Sequence, residues 1–275
     1  MNRARLGRED IVVVTASHDD AILEANLKKS PMIASGDIPL EVVKGAPSAS
    51  IAYNRGLDAT TAEIVVFAHH DVYIPSGWER LLLRRISEVE AEDPGWGLLG
   101  PLGITLEGTH YGPVWSTSIG LILGRVPTKP VPVNSYDELM LILRRGTGLR
   151  FDEDLPNFHL YGTDITQIAL SRGLGSYTAP MPLVHNDSFH DVLGQDFADC
   201  FSYIRKKWRH RLPIKASVTE ITRSGIKHMR STRRARKSRD FRKAMALSTE
   251  LDPRIYASRC GWETLGADFP RLPEV

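Results

Sequence analysis

Three residues with metal-binding side chains, His69, His70 and Asp71, directly follow the apolar segment EIVVFA. An imidazole and a carboxylate two positions apart can converge on one divalent cation where the chain is extended or turning. This ligand set suits Mn²⁺ or Mg²⁺ bound to a diphosphate, because the cation offsets negative charge as a nucleotide leaves. The alternative interpretation is structural: the histidines are exposed loop residues, and Asp71 caps the helix that begins near Ser76.

Further downstream, other residues could take part in the same chemistry. His185 ends the strand-like segment PLVH, where a lone histidine is typically a hydrogen-bonded structural residue. Asp164 stands at the start of a predicted helix, where a carboxylate can cap the helix or act as a general base. An acidic cluster upstream supplies other candidate bases and is also explained as a solvated turn: Asp152, Glu153 and Asp154.

The elements that must position these residues alternate between strand and helix up to residue 92. The strand-like segments are IVVVTA, IPLEVVKG and EIVVFA, and each is followed by a segment with helical patterning. This alternation is typical of a parallel sheet with right-handed crossovers, whose ligand site lies at the carboxyl ends of the strands. Both the SHDD loop at 17–20 and the HHD cluster at 69–71 fall at such ends.

The second half of the chain has a different pattern. Residues 96–133 are rich in glycine and are typical of short strands and turns. Residues 136–146 fit an apolar strand or a short helix. A helix is predicted over 164–171, closed by Arg172 and Gly173, and a strand ending at His185 follows.

The string AYNRGLDATTAEIVVFAHHDVYIPSGWERLL resembles the nucleotide-sugar-binding half of family 2 glycosyltransferases with the glycosyltransferase A fold. In that pattern a helix with N-x-G, here Asn54-Arg55-Gly56, precedes a strand that ends in a D-x-D-like motif, here HHD. The text FDEDLPNFHLYGTD, followed by a helix and by LVHNDS, is similar to the acceptor half of these enzymes. The resemblance covers roughly residues 10–212 and extends to glycosyltransferase-like proteins grouped with a streptomycin-biosynthesis enzyme.

This resemblance implies an α/β fold of the glycosyltransferase A type, with a Rossmann-like, mostly parallel sheet flanked by helices. It implies Asp164 as the catalytic base and a cation, Mn²⁺ or Mg²⁺, held by His69, Asp71 and His185. It further implies a set of residues that contact a nucleotide-sugar donor: Thr15, Ala16, Ser17, Asn54, Arg55 and His70. The sequence departs from the family where His69 replaces the first carboxylate, and where VVKGAPSAS replaces the acidic V-V-D-D-G-S segment.

Charge is distributed unevenly along the 275 residues, whose net charge is +2. Residues 205–243 contain 16 Lys or Arg and two acidic residues, so this segment carries about +14 and the rest about −12. We predict a catalytic domain over 1–212 and a basic, helical C-terminal extension over 213–275. Such an extension packs on an acidic body or meets an anionic surface such as lipid, polyprenyl phosphate or nucleic acid.

The composition limits the classes of protein and the compartments that we expect. No apolar stretch approaches the roughly 20 residues of a membrane helix, and the charged N-terminus lacks the apolar core of a signal peptide. We therefore expect a cytoplasmic protein, either free or peripheral at the membrane. No helix-turn-helix, zinc-finger or aromatic RNA-binding signature accompanies the basic charge, so sequence-specific nucleic-acid binding is not expected.

Together these observations favour a glycosyltransferase that moves a hexose from a nucleotide-diphosphate sugar to a saccharide, lipid-linked or small-molecule acceptor. The expected mechanism is a metal-assisted, inverting displacement with Asp164 as base. Two alternatives belong to other classes. One is a non-catalytic α/β protein that binds nucleic acid or an anionic surface through the extension. The other is a metal-dependent hydrolase using HHD, which is disfavoured because the sequence offers no second metal-ligand set.

Overall fold

The computed structural model describes residues 6–189, 193–266 and 268–270. Its strands are, in chain order, β1 (Ile11–Ala16), β2 (Leu40–Val43), β3 (Ile64–Ala68), β4 (Val72–Tyr73), β5 (Trp96–Gly100), β6 (Gly103–Ile104), β7 (His110–Tyr111), β8 (Val114–Ser116), β9 (Leu121–Leu123), β10 (Val131–Pro132), β11 (Ser135–Tyr136), β12 (Met140–Arg144), β13 (Gly175–Thr178), β14 (Leu183–His185), β15 (Ile214–Lys215) and β16 (Glu220–Ile221). Its α-helices are α1 (Asp20–Ala25), α2 (Pro31–Ala34), α3 (Ala49–Ala59), α4 (Trp78–Glu92), α5 (Tyr161–Ser171), α6 (Gln195–Lys207), α7 (Ile226–Lys237), α8 (Arg239–Met245) and α9 (Pro253–Arg259).

A seven-stranded central sheet has the order β10-β13-β5-β12-β3-β1-β2. β1 pairs in parallel with β2 and β3, and β13 pairs in parallel with β5. β12 lies antiparallel between β3 and β5, and β10 lies antiparallel to β13. Five of the seven strands therefore run in one direction, which confirms the predicted mostly parallel α/β sheet flanked by helices. The sequence of residues 136–146 fits either an apolar strand or a short helix, and the structure has the strand β12 in this segment.

The two faces of the central sheet carry separate helical layers because alternate residues of a strand point to opposite sides. Ile11 and Val13 of β1 pack in one cluster with residues of α4 and α9, whereas Val12 and Val14 pack in a second cluster with residues of α3, α5 and α6. β1 and β3 are buried on both faces, which explains their continuous runs of apolar residues.

Gly56 is required where α3 packs on β1. A Cβ atom at this position would lie 2.2 Å from Cγ1 of Val14, a distance that no packed core accommodates. The glycine of the Asn54-Arg55-Gly56 string thus has a packing role, because it lets the helix approach the strand closely.

The C-terminal extension contains parts that differ in burial, and its first part, with Ile214 and Ile221 of β15 and β16, is buried in the second hydrophobic cluster. α7 and α8 contain no buried residue, whereas Tyr256, Trp262 and Leu265, in and after α9, belong to the main hydrophobic cluster. Tyr256 also stacks on Trp115, with ring centroids 5.4 Å apart. The boundary near residue 212 stays a prediction, but the last part of the extension shares the core of the preceding domain.

Candidate metal centre and its surroundings

His69, Asp71 and His185 come together because two strands from distant parts of the chain end side by side. β3 ends at Ala68, so His69 and Asp71 follow at its carboxyl end, where ligands bind in open α/β sheets. β14 ends at His185, which pairs with Val72 of β4 in an antiparallel register. The backbone N–H of Asn186 donates to the carbonyl oxygen of Asp71 at 2.9 Å and fixes this arrangement.

The three predicted metal ligands are close enough to bind one ion. Their ligand atoms all lie within 4.8 Å of one another, with Oδ1 of Asp71 3.3 Å from Nε2 of His185 and 3.9 Å from Nδ1 of His69. Ligands about 2.1 Å from a common ion at tetrahedral or octahedral angles are separated by about 3–3.5 Å, so only a small contraction is needed. Oδ1 of Asp71 is buried and accepts no well-directed hydrogen bond among the described residues, but it forms an ion pair with His185.

Tyr161 determines which nitrogen of His69 can bind a cation. Its hydroxyl donates to the carbonyl oxygen of Glu138 at 2.7 Å, so its single proton is used there. The same hydroxyl oxygen lies 2.8 Å from Nε2 of His69, and must therefore accept a hydrogen bond from that nitrogen. Because Nε2 carries the hydrogen in the neutral ring, the lone pair of His69 is on Nδ1, the nitrogen that faces Asp71.

The electrostatics of the cluster differ from one ligand to the next. Burial lowers the pKa of His69 to about 4, so this ring is neutral at physiological pH. Burial alone would lower the pKa of His185, but the charges of Asp71 and Asp187 raise it to about 10. Burial alone would raise the pKa of Asp71, yet His185 and His69 hold it well below its usual range. Without a cation, an ionised Asp71 is thus balanced by a protonated His185.

Asp187, which the sequence alone did not single out, places a carboxylate near His185. Its side chain accepts hydrogen bonds from the Ser116 hydroxyl at 3.0 Å, from the Ser118 backbone N–H at 3.1 Å and from the Ser118 hydroxyl. Its Oδ1 lies 4.0 Å from Nδ1 of His185, on the side of the ring away from Asp71. At this distance the carboxylate acts through its charge, which helps to raise the pKa of His185.

The predicted sugar-donor residues at the end of β1 lie next to this centre. Nδ1 of His70 is 2.9 Å from the hydroxyl of Ser17, which itself donates to the carbonyl of Asp19, so the β1 loop and the HHD segment are joined. Thr15 is buried, and its hydroxyl has no partner among the described residues. Ala16 is half-buried at the end of the same strand. The structure therefore places Ser17 and His70 in contact.

Asn54 and Arg55 lie in a different environment. The Asn54 side chain donates to the carbonyl of Phe151 and to the carboxylate of Glu153, both at 2.9 Å, and accepts from the Phe151 backbone N–H at 3.0 Å. It is buried and fully bonded, and it ties α3 to the segment before α5. Arg55 is exposed on α3. Their assignment to the sugar donor stays a prediction.

Asp164 is held inside the fold by two side chains of the α6 region. Its Oδ2 accepts from Nζ of Lys207 at 2.7 Å and its Oδ1 accepts from Nε1 of Trp208 at 2.6 Å, and only 1% of the residue is exposed. The alternative interpretation of Asp164 as a helix cap is wrong, because α5 begins at Tyr161 and its N-cap is Leu160. Burial raises the pKa of Asp164, although Lys207 opposes the shift.

Glu138 is a second candidate base that the sequence did not indicate. The backbone N–H of His69 donates to the carbonyl of Leu139 at 3.0 Å, which places Glu138 beside the end of β3. Burial, with a smaller contribution from the charge of Asp137, raises the pKa of Glu138 to about 8. A carboxyl group whose pKa lies near the working pH is suited to general acid and base chemistry.

Comparison with known proteins gives distant similarities. No protein-family model matches the chain. It is 28% identical over 141 residues to the protein "ATP synthase subunits region ORF 6" of Fuscovulum blasticum, covering 46% of this chain and 55% of that protein. The chain thus spans about half the length of the curated relative it matches.

Solved structures to which the chain is similar include two at low sequence identity. The mannosyltransferase PcManGT from Pyrobaculum calidifontis, in complex with GDP-Man and Mn²⁺, is 13% identical, with a TM-score of 0.40 over 94% of this chain and 77% of that chain. A197 from STIV is 12% identical, with a TM-score of 0.39 over 63% of this chain and 82% of that chain. Similarities this distant assign neither a family nor a substrate.

None of the helices in the described part of the chain combines the length and apolar character that crossing a bilayer requires.

Proposed function

We propose that the chain is a glycosyltransferase that uses a nucleotide-diphosphate sugar and a divalent cation held by His69, Asp71 and His185. One observation carries the proposal: three ligand atoms from two strand ends converge at the carboxyl edge of the sheet, around the buried Oδ1 of Asp71. The resemblance of the surrounding sequence to family 2 glycosyltransferases supports this choice of reaction.

Each ligand has a distinct part in binding the cation. Asp71 is ionised and supplies charge, neutral His69 presents Nδ1 because Tyr161 occupies Nε2, and His185 must release its proton to present Nε2. When bound, the cation would neutralise the diphosphate as it leaves the sugar. His70 and Ser17, joined at the end of β1, would border the nucleotide side of the donor.

Two imidazoles and one carboxylate are better ligands for Mn²⁺ than for Mg²⁺. Mg²⁺ is a hard cation that prefers oxygen ligands, whereas imidazole suits transition metals. We therefore propose Mn²⁺ over Mg²⁺. Zn²⁺ accepts the same ligands, so it belongs in any metal panel.

Asp164 is the proposed base of an inverting displacement. A base removes the proton from the acceptor hydroxyl as that oxygen bonds to the anomeric carbon, and the diphosphate leaves with the bonding electrons. For Asp164 to take this proton, its contact with Lys207 must open. Glu138, with its raised pKa and its position beside β3, is the second candidate for the same step.

A hydrolase with two metal ions receives no support from the described residues. The His69–Asp71–His185 group is the one cluster of at least three His, Cys, Asp or Glu ligands found there. A two-metal site needs a second set within about 4 Å.

A thermal-shift panel of nucleoside diphosphates and nucleotide sugars, with and without Mn²⁺, tests the proposal. A ligand that binds the native state raises the midpoint of unfolding, by the equivalent of about 2.7 kcal/mol at a hundred times its dissociation constant. We expect a nucleotide sugar to shift the midpoint only with Mn²⁺, and the shift to vanish in Asp71→Asn. Stabilisation by Mn²⁺ or Zn²⁺ alone, with no response to any nucleotide, would contradict the transferase assignment.

A further inference from the structure

Helices α7 and α8, residues 226–245, form an arm on the surface of the protein, which we call the basic arm. No residue of either helix is buried. The arm rests on the body through its inner side, where the His228 ring stacks on Phe197 and Phe201 of α6 with centroid distances of 5.4 and 4.6 Å. Its opposite side faces solvent along its whole length.

The outer side of the basic arm carries a dense row of cations. Lys227 pairs with Glu220, and six further exposed cations of the arm form no ion pair with any residue that the structure describes: Arg230, Arg233, Arg234, Arg236, Lys237 and Lys243. Like charges three and four positions apart on a helix repel one another. An open groove of about 300 Å³ is lined by Lys227, Arg230 and Arg234 together with Ser231 and Glu220. A polyanionic partner would relieve this repulsion.

Exposed apolar side chains are interspersed with these cations. Ile226 and Met229 lie on the exposed side of α7, and Phe241 of α8 is 69% exposed. Downstream of α8, the backbone N–H of Leu247 donates to the carbonyl of Thr117 at 2.9 Å, so the arm adjoins the β8–β9 hairpin. That hairpin carries further exposed apolar side chains: Ile119, Leu121 and Ile122.

We propose that the basic arm and the β8–β9 hairpin bind the surface of a bilayer that contains acidic phospholipids. Arg and Lys would contact the phosphate groups, while Phe241, Met229 and Ile226 enter the boundary between headgroups and acyl chains. Charge alone would serve a nucleic acid equally well. The apolar side chains favour lipid, because a sugar-phosphate backbone offers them nothing to bury against. This surface does not include the metal centre, so the inference is independent of the proposed function.

Vesicle flotation of the full chain tests the inference, with vesicles of phosphatidylcholine alone or mixed with phosphatidylglycerol. We expect binding to the mixed vesicles only, weakening steeply as salt is added. Arg233→Gln combined with Arg236→Gln should weaken binding by about 25-fold, at about fivefold for each cation near an anionic surface. Phe241→Ser should weaken it by about tenfold or more and leave the salt dependence unchanged.

Leu106→Ser is the matched control, because Leu106 is 66% exposed and lies outside the arm and the hairpin. It should bind vesicles like the parent chain, and circular dichroism should show all variants folded. Equal weakening by Leu106→Ser, equal binding to neutral vesicles, or unchanged binding by Phe241→Ser would each overturn the inference. Tighter binding to duplex DNA or RNA than to vesicles, insensitive to Phe241→Ser, would identify a nucleic acid as the partner instead.

Discussion

Asp71 and Asp164 carry the two chemical roles proposed for this chain, and their surroundings differ. Oδ1 of Asp71 is buried without a hydrogen-bond partner among the described residues, whereas both oxygens of Asp164 are bonded, by Lys207 and Trp208. Nε2 of His185 lies 3.3 Å from Oδ1 of Asp71, and protonated His185 offsets the charge of this carboxylate in the absence of a cation. In the first region, a cation could take the place of the His185 proton next to Asp71. The second is complete without one, and must open before it can take a proton.

The largest expected effect comes from Asp71→Asn. The amide removes the negatively charged ligand of the cluster, so we expect Mn²⁺ affinity to fall by more than a hundredfold. Substituting a residue that only contacts a metal ligand typically lowers affinity by about 10–100-fold, and the loss of a ligand should exceed that. Titration calorimetry with Mn²⁺ measures this loss. Asp164→Asn is the control from the other region and should keep its affinity. Parallel losses in both variants would mean that the two regions act as one site.

The next largest effect concerns the catalytic base, and a comparison of Asp164→Asn with Glu138→Gln tests it. If Asp164 is the base, its variant should lose about a hundredfold or more in turnover while Mn²⁺ binding is preserved. It should also unfold more easily, by about 1–3 kcal/mol, because the amide places a donor against Lys207. Steady-state transfer and chemical denaturation measure the two quantities. Loss of turnover in Glu138→Gln alone would transfer the role to Glu138.

A smaller effect is expected from Tyr161→Phe, which removes the acceptor that fixes the tautomer of His69. Without it, Nε2–H loses its partner and Nδ1 is no longer held toward Asp71, so Mn²⁺ affinity should fall by about tenfold. Tyr53→Phe is the matched control, because its hydroxyl lies 3.4 Å from that of Tyr161 and the tyrosine is not a partner of His69. Equal losses in both variants would indicate a packing defect rather than control of the tautomer.

The last effect, which needs no substitution, is a dependence of Mn²⁺ binding on pH. His185, with a pKa of about 10, is protonated at neutral pH, whereas Asp71 is already ionised and His69 already neutral. Binding must therefore displace one proton, and affinity should rise by up to about tenfold per pH unit between about pH 6 and 8. Calorimetry in buffers of different ionisation enthalpy counts the protons released. A count of zero would remove His185 from the ligand set.

Local patterns were sufficient to predict the elements around Asp71. β1 and β3 are continuous apolar runs because both of their faces are buried, and α4 has a regular helical period. The HHD segment follows directly from the end of β3, so its position could be read from the chain. His185 as a third ligand came from family resemblance, and the structure brings it to the other two.

The surroundings of Asp164 could not be predicted in the same way. α5 begins after Leu160, whose φ of 60° has no sequence signature, so the helix start was placed three residues late. Lys207 and Trp208 reach Asp164 from 43 and 44 positions away. Glu138 lies beside His69 only because β12 pairs antiparallel with β3, and local propensity does not encode that pairing. Such long-range contacts depend on topology.

The most direct test of the metal centre is anomalous scattering from crystals grown with Mn²⁺ and a nucleoside diphosphate. We predict one strong peak about 2.0–2.3 Å from Nδ1 of His69, Oδ1 of Asp71 and Nε2 of His185, with the diphosphate bound to the same ion. A peak bound instead by Asp152 or Asp164, or no ordered ion near Asp71 at saturating Mn²⁺, would contradict this prediction.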